Sequence, residues 1–355
     1  MNILDKYFLR LIIKSSFATL VGLVLIFAFF QFIGELNEVT DTKYTIGIAL
    51  NHILFLIPSY ISSLLVLSLL IGTVFSIGQL NSNKELQIYQ TATISTSALI
   101  KKAIKYPVVV AIILLGFLEF ITPQTLDTAN QIKAQALGKL VFQDNNDAWF
   151  KKDDQILFLR KDKTSNYFIN IFETQDNNLL SFTQGDGAYF SDSGIVSGNS
   201  KKIKFIKEKR FEAPEESFQE IDILFDLSSE EIGSLSKNIK TMTLYDITKL
   251  IASTVHHDFN INHLVIEFLS RILKPVSLIG MILLAIPFTL DLSRNISIGN
   301  RIFIAVSIGT VSHLFTKILS MVSLKFESML IVGSILPTVT MIILGLLLIK
   351  LKLRY

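Results

Sequence analysis

The chain of 355 residues has no cysteine and little charge. Without cysteine it cannot form disulfide bonds, thiolate metal sites or a cysteine nucleophile. Only 18% of the residues are charged, and a net charge of +3 is too small to indicate nucleic-acid binding. We therefore expect no nucleic-acid partner.

Common catalytic motifs are missing as well. The sequence lacks G-x-x-x-x-G-K-[ST], H-E-x-x-H and G-x-S-x-G, so it carries no signal for a nucleotide-binding loop, a zinc protease or a serine hydrolase. His256, His257 and His263 have no evident fourth ligand, and we interpret them as solvated or interfacial. We expect no catalytic, metal or cofactor site, and any energy-driven work would be powered by a partner.

What the sequence does have is long apolar segments. Half of its residues are hydrophobic, and a helix of about 20 apolar residues can cross the bilayer core. The first run is too long for the apolar part of a signal peptide, so we interpret it as a span. The sequence predicts an α-helical membrane protein with six transmembrane helices and a large polar domain between helices 3 and 4. The runs lie near 15–33, 46–78, 104–122, 264–290, 302–324 and 329–349.

Lysine and arginine are distributed unevenly around these runs. They are concentrated near both termini and in the loops 79–103 and 291–301, whereas the loop after the first run is mostly acidic. Because positively charged loops stay in the cytoplasm, both termini and these two loops are predicted to be cytoplasmic. The large polar domain then lies on the outer side.

The polar domain shows short β-branched and aromatic runs separated by turn signals such as residues 185–187. This spacing predicts an antiparallel sandwich or open roll. Apolar residues often occupy both faces, so the sheet is either covered on both sides or lined for lipid chains. Helix starts with acidic first turns are predicted at 229–232 and 243–247. Strands are predicted at 148–150, 155–160, 167–172, 179–182, 188–190 and 203–205.

The cytoplasmic segment 82–98 has the pattern of a short amphipathic helix. Leu86 and Tyr89 are three residues apart and share one face, and Glu85 precedes them. One interpretation is a helix that lies on the lipid headgroups. The other is a helix that docks in a groove of a cytoplasmic ATPase, with Glu85 as its polar anchor.

Four ionisable residues fall at membrane depth: Glu119, Arg271, Lys274 and Lys317. Charges in such positions are costly and usually face protein or a cavity. The cations either extend to the headgroups or bind lipid phosphates. Glu119 is a candidate partner for one of them inside the protein.

Six short motifs follow one another in a fixed order. They are LDKY at 4–7, KEL at 84–86, EFITPQ at 119–124, ANQIKAQA at 129–136, SRILKP at 270–275 and SIGNR at 297–301. Together with the six-span layout they resemble the LptF/LptG family of lipopolysaccharide export permeases over nearly the whole chain. The chain resembles the LptG branch more closely than the LptF branch.

The resemblance implies a transport subunit of an ABC transporter in the bacterial inner membrane, without enzyme activity of its own. In this family one LptF and one LptG, each with six spans and a periplasmic β-jellyroll, flank a cavity. A dimer of the ATPase LptB drives them, and LptC receives the cargo. Lipopolysaccharide leaves the outer leaflet of the inner membrane and passes toward the outer membrane. The implied domains are 1–124 with the coupling helix at 82–98, a jellyroll-like domain at 125–260, and 261–355.

The resemblance also assigns roles to single residues. Glu85, Leu86 and Tyr89 would contact the ATPase. Family members often carry lysines at the outer end of span one, where this chain has Gln31, Asn37 and Glu38. We therefore expect other cations to compensate and span one to contribute apolar contacts. The expected lipopolysaccharide-binding residues are Lys133, Arg271, Lys274, Lys317, Phe27, Phe30 and Ile33.

Three alternatives remain at the level of sequence. The first is the paralogous LptF subunit. The second is a membrane sensor or scaffold with an outer β domain, which would need a cytoplasmic signalling module, and the polar ends of this sequence are short. The third is an intramembrane enzyme, which no pair of carboxylates or nucleophile constellation supports.

The topology can be tested with single cysteines, because the chain has none of its own. We expect Ser193→Cys to react with a membrane-impermeant thiol reagent in intact cells with a permeabilised outer membrane. Ser82→Cys should react only after lysis of the inner membrane, because positively charged loops stay in the cytoplasm. Labelling of Ser82→Cys in intact cells would reverse the predicted orientation.

Overall fold

The computed structural model divides into two compact units. Unit 1 comprises Met1–Lys133 and Val265–Tyr355, and unit 2 comprises Ala134–Leu264. The sequence-based boundaries at 124/125 and 260/261 lie before these divisions, both of which fall inside helices. The structure describes residues 3–39, 44–83, 85, 96–137, 147–152, 155–161, 167–175, 178–191, 194–196, 199–204, 215–217, 239–254, 262–289, 298–325 and 330–352.

Six long helices dominate the described part of the chain. Each is long and apolar enough to cross a membrane, and each carries one of the six predicted runs. The prediction of six helices able to span a membrane is therefore confirmed among the described residues. In chain order they are α1 (Ile3–Leu36), α2 (Ile46–Ser82) and α3 (Thr96–Ala136), followed, after a short helix α4 (Leu244–Thr254) of unit 2, by α5 (Asn262–Thr289), α6 (Ile298–Lys325) and α7 (Leu330–Lys352).

Helices α2 and α3 are much longer than the bilayer core requires. They contain 37 and 41 residues, which corresponds to about 55 and 60 Å at 1.5 Å per residue. Both continue through internal prolines, Pro58 in α2 and Pro107 and Pro123 in α3. The polar end of α3 is supported by a hydrogen bond from Gln131 Nε2 to Asp127 Oδ2 (3.0 Å), one helical turn apart. The apolar runs alone therefore underestimate these helices.

The core of unit 1 is built around α2. Its side chains Leu65, Leu69 and Leu70 are at most 2% exposed and pack in one cluster with Phe8 of α1 and Leu278 of α5. By contrast, α1 leaves most of its apolar side chains exposed in the isolated chain. Such an exposed surface on a membrane helix is available to lipid or to a partner helix.

Glycines allow these helices to approach closely. A Cβ atom at Gly72 of α2 would lie 2.5 Å from the backbone N and Cα of Ser16 in α1. Between α5 and α7, a Cβ at Gly280 or Gly345 would lie 2.9 Å or 2.6 Å from the nearest atom of the facing helix. Lipid chains are as apolar as leucine, so close backbone packing of this kind supplies much of the attraction between membrane helices.

Unit 2 contains an antiparallel β-sheet. Its seven strands pair in the order β1-β2-β3-β4-β6-β7, and β5 pairs with β4. This confirms an antiparallel β domain between the third and fourth membrane-spanning helices; its jellyroll-like form stays a prediction. The strands are β1 (Asp147–Lys152), β2 (Gln155–Lys161), β3 (Tyr167–Gln175), β4 (Asn178–Ser191), β5 (Gly194–Val196), β6 (Asn199–Lys204) and β7 (Glu215–Ser217).

The two faces of the central strands differ in burial. Ile169, Ile171 and Thr183 share one face and are buried. On the other face Phe172 lies opposite Phe182, with ring centroids 5.0 Å apart, and both rings are partly exposed. The sheet therefore has one closed face and one aromatic face that is partly open among the described side chains.

The prediction of a turn at residues 185–187 is wrong. Strand β4 runs through it without a break, and the register with β3 shifts between Tyr167 and Ile169, opposite Ala188 and Gly185. Glycine inside a strand often marks such a bulge, where the missing side chain lets the strand bend. The Gly-Asp-Gly sequence was therefore a bulge signal rather than a hairpin signal.

The predicted helix start at 243–247 is confirmed, whereas 229–232 lies outside the described residues. The Asp246 N–H donates to Thr243 Oγ1 and the Thr243 N–H donates to Asp246 Oδ2, both at 3.1 Å. This reciprocal arrangement is a capping box, with aspartate in the place of the usual glutamate. It explains why α4 begins at Leu244.

Gly72 offers a test of the close contact between α1 and α2. We expect Gly72→Ala to destabilise the protein by about 1–3 kcal/mol, because the new methyl group would overlap the backbone of Ser16. Gly22→Ala is the matched control, since a Cβ there would have no neighbour within 4 Å. Thermal unfolding in detergent would measure both, and equal midpoints for the two variants would contradict this packing.

Candidate functional site

Glu35, in the last turn of α1, is surrounded by polar side chains from four parts of the chain, and three of them donate to it. The residue is 2% exposed. Lys133 Nζ of α3 lies 2.9 Å from Oε2, and the Tyr44 hydroxyl donates to the same oxygen at 2.9 Å. Gln31 Nε2 donates to Oε1 at 3.0 Å, and His52 Nε2 of α2 lies 3.6 Å from Oε1. We call these five residues the Glu35 cluster.

The cluster is further fixed at its edges. His52 Nδ1 is 2.9 Å from the carbonyl oxygen of Ala129, which can only accept, so Nδ1 carries the proton. Lys133 also pairs with Glu38 Oε2 at 3.0 Å. Burial and the hydrogen bond to Glu35 raise the pKa of the Tyr44 hydroxyl above its usual range, so Tyr44 stays a donor at neutral pH.

This environment bears on the expected role of Lys133 in cargo binding. Its ammonium group lies between the carboxylates of Glu35 and Glu38. A carboxylate enclosed in a protein is tolerated when it is paired and hydrogen-bonded, and Lys133 supplies that pairing for Glu35. Lys133 therefore joins α3 to α1, and an anionic ligand would have to share it with two acids.

A second charged cluster joins α3 to α5. Arg271 Nη1 lies 2.9 Å from Glu119 Oε1, and Arg271 Nε lies 2.9 Å from Glu267 Oε1. The Arg271 side chain is only 11% exposed. The prediction that Glu119 pairs with one of the cations at membrane depth is confirmed. A charged side chain in an apolar helix requires such a partner because desolvation is otherwise uncompensated.

The remaining predicted cargo residues are more open. Lys274 follows Arg271 by three residues on α5 and is half-buried, whereas Lys317 on α6 is exposed. The apolar residues Phe27, Phe30 and Ile33 are spaced three residues apart on α1 and are 51%, 66% and 44% exposed. They form one continuous apolar strip, as expected for a surface that meets lipid.

The structure thus distributes the four predicted cations over three places. Arg271 and Lys274 lie on one stretch of α5, Lys133 belongs to the Glu35 cluster, and Lys317 lies on α6. In the described ranges no ion pair links one of these places to another. Whether they act on one ligand stays a prediction.

Glu85 is the described residue of the predicted ATPase contact; Leu86 and Tyr89 lie outside the described residues. Asn83 Nδ2 donates to Glu85 Oε1 at 3.0 Å, and the Tyr7 side chain of α1 lies near the Glu85 carboxylate. Glu85 is half-buried. Its carboxylate is therefore held close to the ends of α1 and α2.

Sequence reasoning missed two further polar sites, the Glu35 cluster and Arg301. Arg301 is 5% exposed and its Nη1 donates to the carbonyl oxygen of Gly78 at 2.7 Å. The available signal was their position, since Glu35 directly follows one apolar run and Arg301 directly precedes another. Charges at such borders are easily assigned to the headgroup region.

The described residues contain no group of three or more His, Asp or Glu side chains that could hold a metal ion. Of the three histidines considered from the sequence, His263 is exposed, and His256 and His257 lie outside the described residues.

Comparisons with known proteins relate nearly the whole chain to one family. A family model described as "Lipopolysaccharide export system permease LptF/LptG" matches residues 6–351. The chain is 25% identical over 358 residues to the lipopolysaccharide export system permease protein LptG of Haemophilus influenzae, with 96% of each chain covered. It is 19% identical over 353 residues to the protein of the same name from Escherichia coli K12, with 97% of each chain covered.

The Glu35 cluster predicts a difference between two neighbouring acids. We expect Glu35→Gln to lower the free energy of unfolding by about 1–3 kcal/mol, because it removes the charge that Lys133 and Tyr44 enclose. Glu38→Gln is the matched control: the Glu38 side chain is 46% exposed, so its loss should cost less than about 1 kcal/mol. Thermal unfolding of both variants in detergent decides, and an equal or larger loss for Glu38→Gln would refute the role given to Glu35.

Proposed function

This chain belongs to the LptF/LptG family of lipopolysaccharide export permeases, and we propose that it is the LptG subunit of an ABC transporter. It extracts lipopolysaccharide from the outer leaflet of the inner membrane and passes it to a periplasmic bridge toward the outer membrane. The observation that carries the proposal is the family match over residues 6–351, which includes all six spans and the β domain. The relatives named above are LptG proteins, which favours LptG over LptF.

The proposal requires a partner that hydrolyses ATP. The chain has no nucleotide-binding loop of its own, so it acts as a transport subunit without a cofactor. A dimer of the ATPase LptB docks on the segment 82–98, where Glu85, Leu86 and Tyr89 form the contact. Glu85 lies just beyond the end of α2 and accepts a hydrogen bond from Asn83, so a movement of this segment acts directly on α2.

A second six-span subunit of the LptF type completes the transporter, and LptC receives the cargo. The exposed apolar surface of α1 supports a membrane partner, because an isolated chain leaves Phe17, Leu25 and Phe30 at least 64% exposed. Both termini lie in the cytoplasm and the β domain lies in the periplasm, as the Lys/Arg distribution favours.

Cargo binding combines cations with apolar surface, because lipid A carries anionic groups beside acyl chains. Lys317 is the first cation of the site, since it is exposed on α6. Arg271 and Lys274 form a second position, where a phosphate competes with Glu119 and Glu267 for the guanidinium. Lys133 contributes third, after release from Glu38. The acyl chains lie against Phe27, Phe30 and Ile33.

The β domain continues the path for the lipid. Its partly open face presents Phe172 and Phe182 as an aromatic pair, with Ile156 on the neighbouring strand opposite Phe172. Acyl chains leaving the membrane need such a surface, because exposure of each methylene to water costs about 0.8 kcal/mol. A jellyroll-like fold of residues 125–260 would enclose this face.

Photo-crosslinking tests the cargo site. We expect a photoreactive residue at Lys317, in the complex purified with its ATPase and second subunit, to form lipopolysaccharide adducts. Leu346 is the matched control, because it is 53% exposed on α7 and belongs to no cation cluster of this proposal. Arg271 should react less than Lys317, since its side chain is enclosed by two acids. Equal adducts at Lys317 and Leu346 would exclude a specific site at Lys317, and a chain that purifies without any ATPase would contradict the proposed function itself.

A further inference from the structure

Arg301 is enclosed at the start of α6, two residues before the exposed Phe303. It is 5% exposed, and its Nη1 donates to the Gly78 carbonyl at 2.7 Å. Its Nε has no hydrogen-bond partner in the part of the chain that the structure describes. Burying a charged arginine with one hydrogen bond costs far more free energy than burying an apolar side chain. Packing alone therefore does not explain an arginine at this position.

Gly78 is shaped for this contact. A Cβ atom there would lie 3.0 Å from Arg301 Cδ and 3.1 Å from Nη1, so any side chain at this position would force the guanidinium to shift away from the backbone of α2. Carbonyl groups near the end of a helix carry partial negative charge, which stabilises a cation at this point. Arg301 thus fastens the start of α6 to the last turns of α2.

The segment that follows α2 is the predicted docking site for the ATPase. It leaves α2 at Asn83, which hydrogen-bonds Glu85, and it enters α3 at Thr96. At the α3 side, Lys102 pairs with Asp5 of α1 at 2.5 Å. Both helices that border this segment are therefore fastened by a polar contact to another membrane helix, α2 to α6 and α3 to α1.

We propose that Arg301 is a positioning residue that transmits movement of the ATPase-docking segment from α2 to α6. Helix α6 carries Lys317, about 24 Å further along its axis at 1.5 Å per residue. A displacement of Gly78 would therefore move α6 and with it Lys317, the cation that we expect to bind the cargo. The inference rests on the proposed function, because it requires an ATPase that acts on this segment.

The hydrogen bond from Arg301 to the Gly78 carbonyl is directional, so it holds the end of α2 and the start of α6 in one relative position. The apolar contact of Gly309 with Leu67 and Leu70, in the middle of the same two helices, has no such direction and permits sliding.

The test measures lipopolysaccharide moved per ATP hydrolysed in the full complex, reconstituted in liposomes. We expect Arg301→Gln to lower this ratio about fivefold, the factor that corresponds to one lost hydrogen bond. Gly78→Ala should lower it as well, because the methyl group displaces the guanidinium while the charge remains. Arg301→Lys should restore most of it, since an ammonium group can still donate to the Gly78 carbonyl.

Gly116→Ala is the matched glycine control, because a Cβ there would have no neighbour within 4 Å. Glu85→Lys serves as the reference for an uncoupled complex. If the yield of complex falls in Arg301→Gln and Gly78→Ala while the ratio stays at the wild-type value, Arg301 has a structural role only and the inference is wrong. If Arg301→Gln does not assemble, the ratio measured for Gly78→Ala is the test: a lowered ratio supports the inference and a wild-type ratio contradicts it.

A distance measurement separates this inference from the proposed function. Spin labels on Ser82→Cys and Asn300→Cys, in a chain without other cysteines, report the spacing of the α2 end and the α6 start. We expect a constant distance with and without ATP in the wild-type background and a variable one in Gly78→Ala. A variable distance in both backgrounds overturns the role of Arg301. A wild-type complex that moves no lipid with ATP overturns the proposed function instead.

Discussion

A carboxylate withdrawn from water must recover its lost solvation from neighbouring donors, and Glu35 does so by drawing several segments to one point. Lys133 donates from α3 and Tyr44 from the connection between α1 and α2, and His52 of α2 lies beside the carboxylate. Apolar contacts alone hold membrane helices weakly, because lipid offers the same contacts. The Glu35 cluster therefore fixes where α1 ends relative to α2 and α3, and the glycine contacts define how closely the helices approach elsewhere.

The same requirement decides which cations remain available to a ligand. Arg271 is enclosed by Glu119 and Glu267, and Lys133 by Glu35 and Glu38. Each of these cations is part of the internal architecture, so a phosphate must replace an acid that already compensates the charge. Lys317 lies on the exposed side of α6. In the role proposed for it, a phosphate can bind there without first replacing an acid. Cargo binding would then begin on α6 and reach the other cations by exchange of partners.

The sequence predicted the parts of this structure that depend on solvent. Six apolar runs gave six helices, because only a helix satisfies its backbone within lipid. The pairing of Glu119 with one of the cations followed from the same reasoning, since a charge at membrane depth needs a partner; that this cation is Arg271 came from the structure. The Glu35 cluster and the Arg301 contact did not follow, because they depend on which helices are neighbours, and six helices can be arranged in many ways. Residues 185–187 were misjudged because glycine permits both a turn and a bulge.

The uninterrupted length of helix α3 limits where residues can be inserted into or deleted from this chain. Its 41 residues run without interruption from Thr96 to Ala136, with Glu119 facing Arg271 and Lys133 facing Glu35 on the way. One inserted residue between these acids and bases would rotate everything beyond it by about 100° and break a pairing. We therefore expect insertions and deletions to be tolerated only in the polar connections, because the spacing from Lys102 to Lys133 must keep its length for all three pairings to form.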